Sequence, residues 1–137
     1  MGTIRLDIVT VERELFSDDV DMVVAPGSEG VMGILSNHVP LLTSLNVGEL
    51  VVHKKGQEDI IFAIGDGFMD VQPCHVTILA DVAEQANEIN MERAKAAHDK
   101  AEKAIASGSL SAGKLRRAEA SLKRASLRMK VAEKYGK

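Results

Sequence analysis

Apolar and polar residues alternate over several short stretches of the first 86 residues. Ile4, Leu6 and Ile8 point one way while Arg5 and Asp7 point the other, and Ile60, Phe62, Ile64 and then Val76, Ile78, Ala80 repeat the pattern. A period of two is the signature of half-buried β-strands. Turn chemistry falls between them, in "APGSEGVMG", "KKGQED", "IGDG" and "QP", where glycine, proline and short polar residues let the chain reverse. No strand alternates with a long helix, which argues against a parallel sheet of βαβ units, and a sandwich or barrel is expected. After residue 86 the period becomes about 3.5. Ala94, Ala97, Ala101 and Ala104 recur at steps of three and four, as do Leu115, Ala118, Leu122, Ala125, Met129 and Ala132, which predicts two helices. "ASGSLSAG" between them can end one helix and start the next as an antiparallel αα-hairpin. The expected architecture is therefore α+β in two parts, residues 1–86 and residues 87–137. An alanine-rich seam lets helices approach closely but buries little area, so at about 25 cal/mol per Å² the pair is weakly held and can open.

Composition sharpens this picture. The 137 residues are 45% hydrophobic, enough for one ordinary core and a small appendage, but only 3% aromatic with no tryptophan. The core must be aliphatic, and a stacking platform for nucleic-acid bases is not expected. The formal charge of -3 is unevenly spread: residues 110–137 hold nine Lys or Arg against two Glu, leaving -10 for the rest. An interaction surface and a solvated helix face both fit that basic segment. A single cysteine and a charged N-terminal stretch, "MGTIRLDIVTVEREL", lead us to expect an intracellular protein. Met1-Gly2 opens like a myristoylation signal, but Leu6 stands where Ser or Thr is required, and no apolar run approaches the ~18 residues of a membrane span. Membrane association is thus expected through partners only.

Candidate chemistry thins out on inspection. Cys74 and His75 are neighbours in an expected strand, so they point to opposite faces and cannot act as nucleophile and base together. His38, His53, His75 and His98 lack metal-ligand spacing, so no metal is expected. Gly27, Gly30 and Gly33 match neither phosphate-loop fingerprint and suit tight turns. No serine elbow is present. With no catalytic residue to name, the chain reads as a binding or structural protein.

The order of features nevertheless resembles one family. "GILSNHVPLLTSLNVGEL" and "AIGDGFMDVQPCHVTILADVAE", followed by "INMERAKAA" and a basic alanine-rich pair of helices, are similar to the epsilon subunit of F-type ATP synthase along nearly the whole chain. Asp66 interrupts a usual Gly-Gly pair and Asp70 stands where Glu is common. The resemblance implies a ten-stranded antiparallel β-sandwich whose partners are the gamma subunit and the c-ring. It further implies a mobile αα-hairpin that meets the catalytic alpha and beta subunits and restrains ATP hydrolysis, a non-catalytic rotor role, and a peripheral place on the cytoplasmic face of an energy-transducing membrane. Ser28, Glu29, Val31, Met32, Ile34 and His38 would then face partners; apolar residues there suit a buried interface. His38 equally fits a turn histidine that ties its own loop. Lys114, Arg117, Arg124 and Arg128 would form an inhibitory basic stripe on the second helix.

No cofactor is required by this resemblance, but regulatory ATP is implied for some members by a motif Ile/Leu-Asp-x-x-Arg-Ala. Here Ile89, Arg93 and Ala94 match while Asn90 replaces aspartate; Glu84, Lys100, Arg124 and Arg128 stand at positions similar to other nucleotide contacts. Asn90 can still cap the helix, whereas Lys100 supplies a point charge in place of a forked guanidinium. Other classes explain less. A nucleic-acid binder suits the basic helix but not the acidic remainder, a stand-alone ATP-binding regulator leaves the apolar loop unused, and an enzyme lacks its constellation.

Overall fold

The computed structural model describes residues 2–135; Met1, Gly136 and Lys137, the last counted in the basic segment, lie outside the described residues. The chain divides into two compact units, Met1–Gln85 and Ala86–Lys137.

The first unit is built of β1 (Ile4–Thr10), β2 (Glu14–Val20), β3 (Met22–Gly27), β4 (Gly30–Ile34), β5 (Leu41–Leu45), β6 (Gly48–His53), β7 (Ile60–Gln72) and β8 (His75–Gln85). The path β2-β1-β8-β7-β5 makes one layer of a sandwich, and β4-β3-β6 with the start of β7 makes the other. The long strand β7 serves both. Its first half, 60–64, pairs with β6, and its second half, 67–71, pairs with β5. The switch falls at Asp66, whose φ is 30°, and at Gly67, where an added Cβ would stand 2.1 Å from the Leu79 carbonyl oxygen. Only glycine lets β8 approach so closely there.

Two expectations need correction. The described residues form eight strands rather than ten, because β7 and β8 run through both layers without a break. The sheet is also not antiparallel throughout, since β1 pairs with β8 in parallel, Arg5 beside His75 through Thr10 beside Ala80. A parallel neighbour distant in sequence leaves no local signal.

Alternation puts Ile4, Leu6, Ile8, Val23, Phe62, Ile64, Met69, Val71, Val76 and Ile78 into the space between the layers, all essentially without exposure. Each such aliphatic or aromatic side chain contributes about 1.5–3 kcal/mol by burial. Phe16 closes one side edge-on against Phe62, centroids 5.7 Å apart. No polar or charged residue is buried among the described residues.

The second unit opens with a single helical turn, 86–88, and continues as α1 (Met91–Ala106) and α2 (Ala112–Tyr135), which pack on one another across five intervening residues. Asn90 caps α1: its side-chain oxygen accepts the Arg93 N–H at 3.1 Å. Ala94, Ala101 and Ala125 are buried as the period predicts, but Ala97 is exposed, and Val131, outside the expected seam, is fully buried. Helix α1 buries Ala94 and Ala101 with His98 and Ile105 half-buried, at alternating steps of four and three, so His98 stands in the seam in place of Ala97.

Candidate functional site

The outward side of the β2-β1-β8-β7-β5 layer is ordered in rows set by strand register. At one end Arg5, Asp7, Ser17, Asp19 and His75 form a polar network. The Ser17 hydroxyl donates to Asp7 Oδ1 at 2.5 Å, Arg5 donates to Ser17 Oγ at 2.6 Å, and His75 Nε2 lies 2.6 Å from Asp7 Oδ2. The Ser17 hydrogen bond, then that of His75, hold the Asp7 carboxyl below the ordinary carboxylate range. Although Ser, Asp and His meet here, the carboxylate sits between hydroxyl and imidazole, so the imidazole does not reach Ser17 and the order is not that of a catalytic triad.

Further along the same face the rows become apolar. Phe68 stands across from Ser44 on one side and Leu79 on the other, and Leu79 across from Val9. Phe68 is 58% exposed, Leu79 55%, Leu42 72% and Val11, just beyond β1, 91%. An open groove of about 590 Å³ runs over Val9, Val11, Leu45, Phe68 and Leu79, with Asp66 and Asp81 at its edge. Such a contiguous apolar surface on a small unit marks a binding face. Sequence reading passed over it. The signal is in the doublets Ile8-Val9, Leu41-Leu42, Phe68-Met69 and Ile78-Leu79, where two adjacent apolar residues in a strand require both sheet faces to be covered.

The expected interface loop lies at the same end of the unit: the Ser28 N–H donates to the Ser44 carbonyl and the Asn46 N–H to the Pro26 carbonyl. Ser28 and Glu29 form the two-residue turn between Gly27 and Gly30, and both are exposed. Val31 is 78% exposed, and Met32 packs partly on the core. Ile34 is a correction. It is fully buried opposite Val23, because strand alternation from exposed Gly33 turns its side chain inward, so it offers nothing to a partner. His38 is half-buried and its Nδ1 lies 2.7 Å from the Val39 carbonyl oxygen, the geometry of a histidine tying its own turn.

On α2, Lys114 and Arg117 are exposed, whereas Arg124 and Arg128 are half-buried and Arg124 donates to Ser121 Oγ at 3.3 Å. On α1, Arg93 and Lys100 are exposed, Ile89 before it is half-buried, and Asn90 is engaged as the cap. Ala94 is wholly buried, so its side chain cannot touch a ligand, which corrects its place in the nucleotide set. Glu84 belongs to β8 of the first unit and is half-buried. Among the described residues no group of three or more His, Cys, Asp or Glu could hold a metal ion, and no helix is long and apolar enough to cross a membrane.

Comparison with known proteins agrees with this division. Residues 3–86 match the family described as ATP synthase, delta/epsilon chain, beta-sandwich domain, and residues 87–133 its long alpha-helix domain. An ATP synthase epsilon chain of Dehalococcoides mccartyi is 47% identical over 137 residues, 100% of this chain and 97% of that one. One from Herpetosiphon aurantiacus is 50% identical over 130 residues, 95% and 94% of the two chains. A chain in the solved Euglena gracilis mitochondrial ATP synthase shares the fold, with a TM-score of 0.79 at 23% identity over 92% of this chain and 79% of that one.

Proposed function

Because this chain belongs to the ATP synthase delta/epsilon chain family, whose epsilon chain is a non-catalytic subunit, we propose that it is a central-stalk subunit that joins gamma to the c-ring and regulates ATP hydrolysis. The observation that carries the reading is the apolar row Val9, Phe68, Leu79 with exposed Val11 and Leu42 beside it. Water-facing aromatic and aliphatic side chains in register across three strands are costly on a free protein and suit a permanent partner. In this reading the face, continued by Ser28, Glu29, Val31 and the edge of Met32, covers gamma and the c-ring.

The second unit supplies the regulation. Five residues between two contacting helices suit an antiparallel hairpin, and its buried positions are mostly alanine. Such a seam has two arrangements close in free energy, which a partner or ligand can bias. Lys114, Arg117, Arg124 and Arg128 present positive charge to acidic segments of the catalytic alpha and beta subunits. ATP, as an effector rather than a cofactor, would meet Arg93 and Lys100, seven residues apart on α1, with Arg124 and Arg128 on α2. The protein would reach the cytoplasmic face of its membrane through these partners alone.

Copurification tests this. Tagged chain extracted from its native membranes in mild detergent should bring down gamma, the c-ring and the catalytic subunits together. Recovery of the chain alone would overturn the reading.

A further inference from the structure

The groove at the Asp66 and Asp81 end of the sandwich face has a chemistry of its own. Its floor is Val9, Leu45, Phe68 and Leu79, and its volume of about 590 Å³ leaves room for more than one side chain. Its shape is fixed by Gly67, since any side chain there would strike the Leu79 carbonyl and force β7 from β8. The edge is acidic. Register places Gly65 beside Val82 and Gly67 beside Ala80, so Asp66 and Asp81 flank the same step of the β7–β8 pair, both exposed. Among the described residues neither carboxylate has an ion-pair partner. The unit has few cations to offer: residues 1–85 contain four Lys or Arg against fourteen Asp or Glu. Arg5 is taken by Asp7 and Asp19, and Lys54 by Asp18. Arg13, in the β1–β2 turn, forms no ion pair with the groove.

We propose that this groove is an anchor site for a partner segment that presents a large apolar side chain with a lysine or arginine next to it, the apolar group lying on Phe68 and Leu79 and the cation between Asp66 and Asp81. The inference rests on the docking role proposed above and specifies the chemistry of the gamma surface that fills the groove. Charge disfavours a second copy docked sandwich to sandwich, because two first units each carrying ten excess negative charges would bring acidic edges together. Apolar contact supplies holding strength, while rim charges act mainly on encounter rate and on discrimination between partners.

The test titrates the full chain into its cognate catalytic complex, stripped of this subunit but retaining gamma, across a potassium chloride series. The D66N/D81N double variant should bind about three- to tenfold more weakly at low salt and converge on wild type as screening rises. Asparagine tolerates the positive φ at position 66, so the melting temperature should not move. Phe68→Asp should lose binding at every salt concentration, and Leu79→Ser replaces it should that variant not fold. Equal binding of the double variant and wild type at low salt overturns the cation while leaving the docking face standing. Undiminished binding by Phe68→Asp or Leu79→Ser overturns both. A dimer of the isolated chain that Phe68→Asp dissolves would assign the groove to a second copy and likewise overturn the proposal.

Discussion

Asp7 shows how a single side chain stiffens the non-docking half of the outer face. It joins β1 to β2 through Ser17 and to β8 through His75. Its carboxyl is held below the ordinary range, so the stabilisation is present above about pH 4 and is lost as pH falls through the lower folded value. Asp7→Asn should therefore lower the melting temperature at pH 7, by the few degrees that follow from about 1 kcal/mol or less at a half-buried surface site. The gap from wild type should shrink steadily as thermal scans move below pH 4; a gap independent of pH would show that ionisation of Asp7 contributes nothing. Val31 and Ile34, three residues apart, make the complementary case. Ile34→Asp buries a charge between the layers and should cost about 3–5 kcal/mol in urea unfolding. Val31→Asp sits in water on the free chain and should stay within about 0.5 kcal/mol of wild type while weakening binding to gamma and the c-ring. Similar unfolding midpoints for both variants would contradict the burial assigned to them.

Elements differ in how far the sequence exposes them. The strand around Ile4, Leu6 and Ile8 is legible because its inward residues are apolar and its neighbours Arg5 and Asp7 are not. The helices are legible from their changed period, although Ala97 falls outside the buried stripe and Val131 inside it. Alanine at a seam and alanine on a surface look alike in sequence. What stayed hidden is non-local: β1 beside β8, and one strand bent at Asp66 and Gly67 to serve two layers. The outward apolar row was hidden for a different reason. Alternation reveals which residues face the chain's own core, whereas Phe68 and Leu79 point away from it. The chain's capping, by contrast, is local and was readable, so Asn90→Ala should destabilise the second unit by about 1 kcal/mol, read as reduced helix protection in hydrogen exchange. Protection unchanged by that substitution would mean the cap is redundant. Because the buried core of the first unit spans residues 4–80, with Ala83 packed against it, a chain ending at residue 87 should unfold cooperatively on its own. Loss of the cooperative transition in that fragment would show that the helices help to hold the strands.

At the level of the whole molecule, charge and apolar surface divide the work. The first unit carries ten excess negative charges and an apolar face, and the strongly basic segment is confined to residues 110–137. Docking and regulation should then separate physically: one unit binds, the other restrains. Exposed ion pairs are worth only about 0–1 kcal/mol each, so regulation by Lys114, Arg117, Arg124 and Arg128 must be collective, and it should fade as salt shortens the screening length to about 8 Å or less. The most direct measurement is steady-state ATP hydrolysis by the cognate catalytic complex, stripped of this subunit and then saturated with either the full chain or residues 1–87. Both should bind with comparable affinity and only the full chain should inhibit, with inhibition lost when Arg117, Arg124 and Arg128 are all replaced by alanine. Equal inhibition by the fragment and the full chain would contradict this division of work.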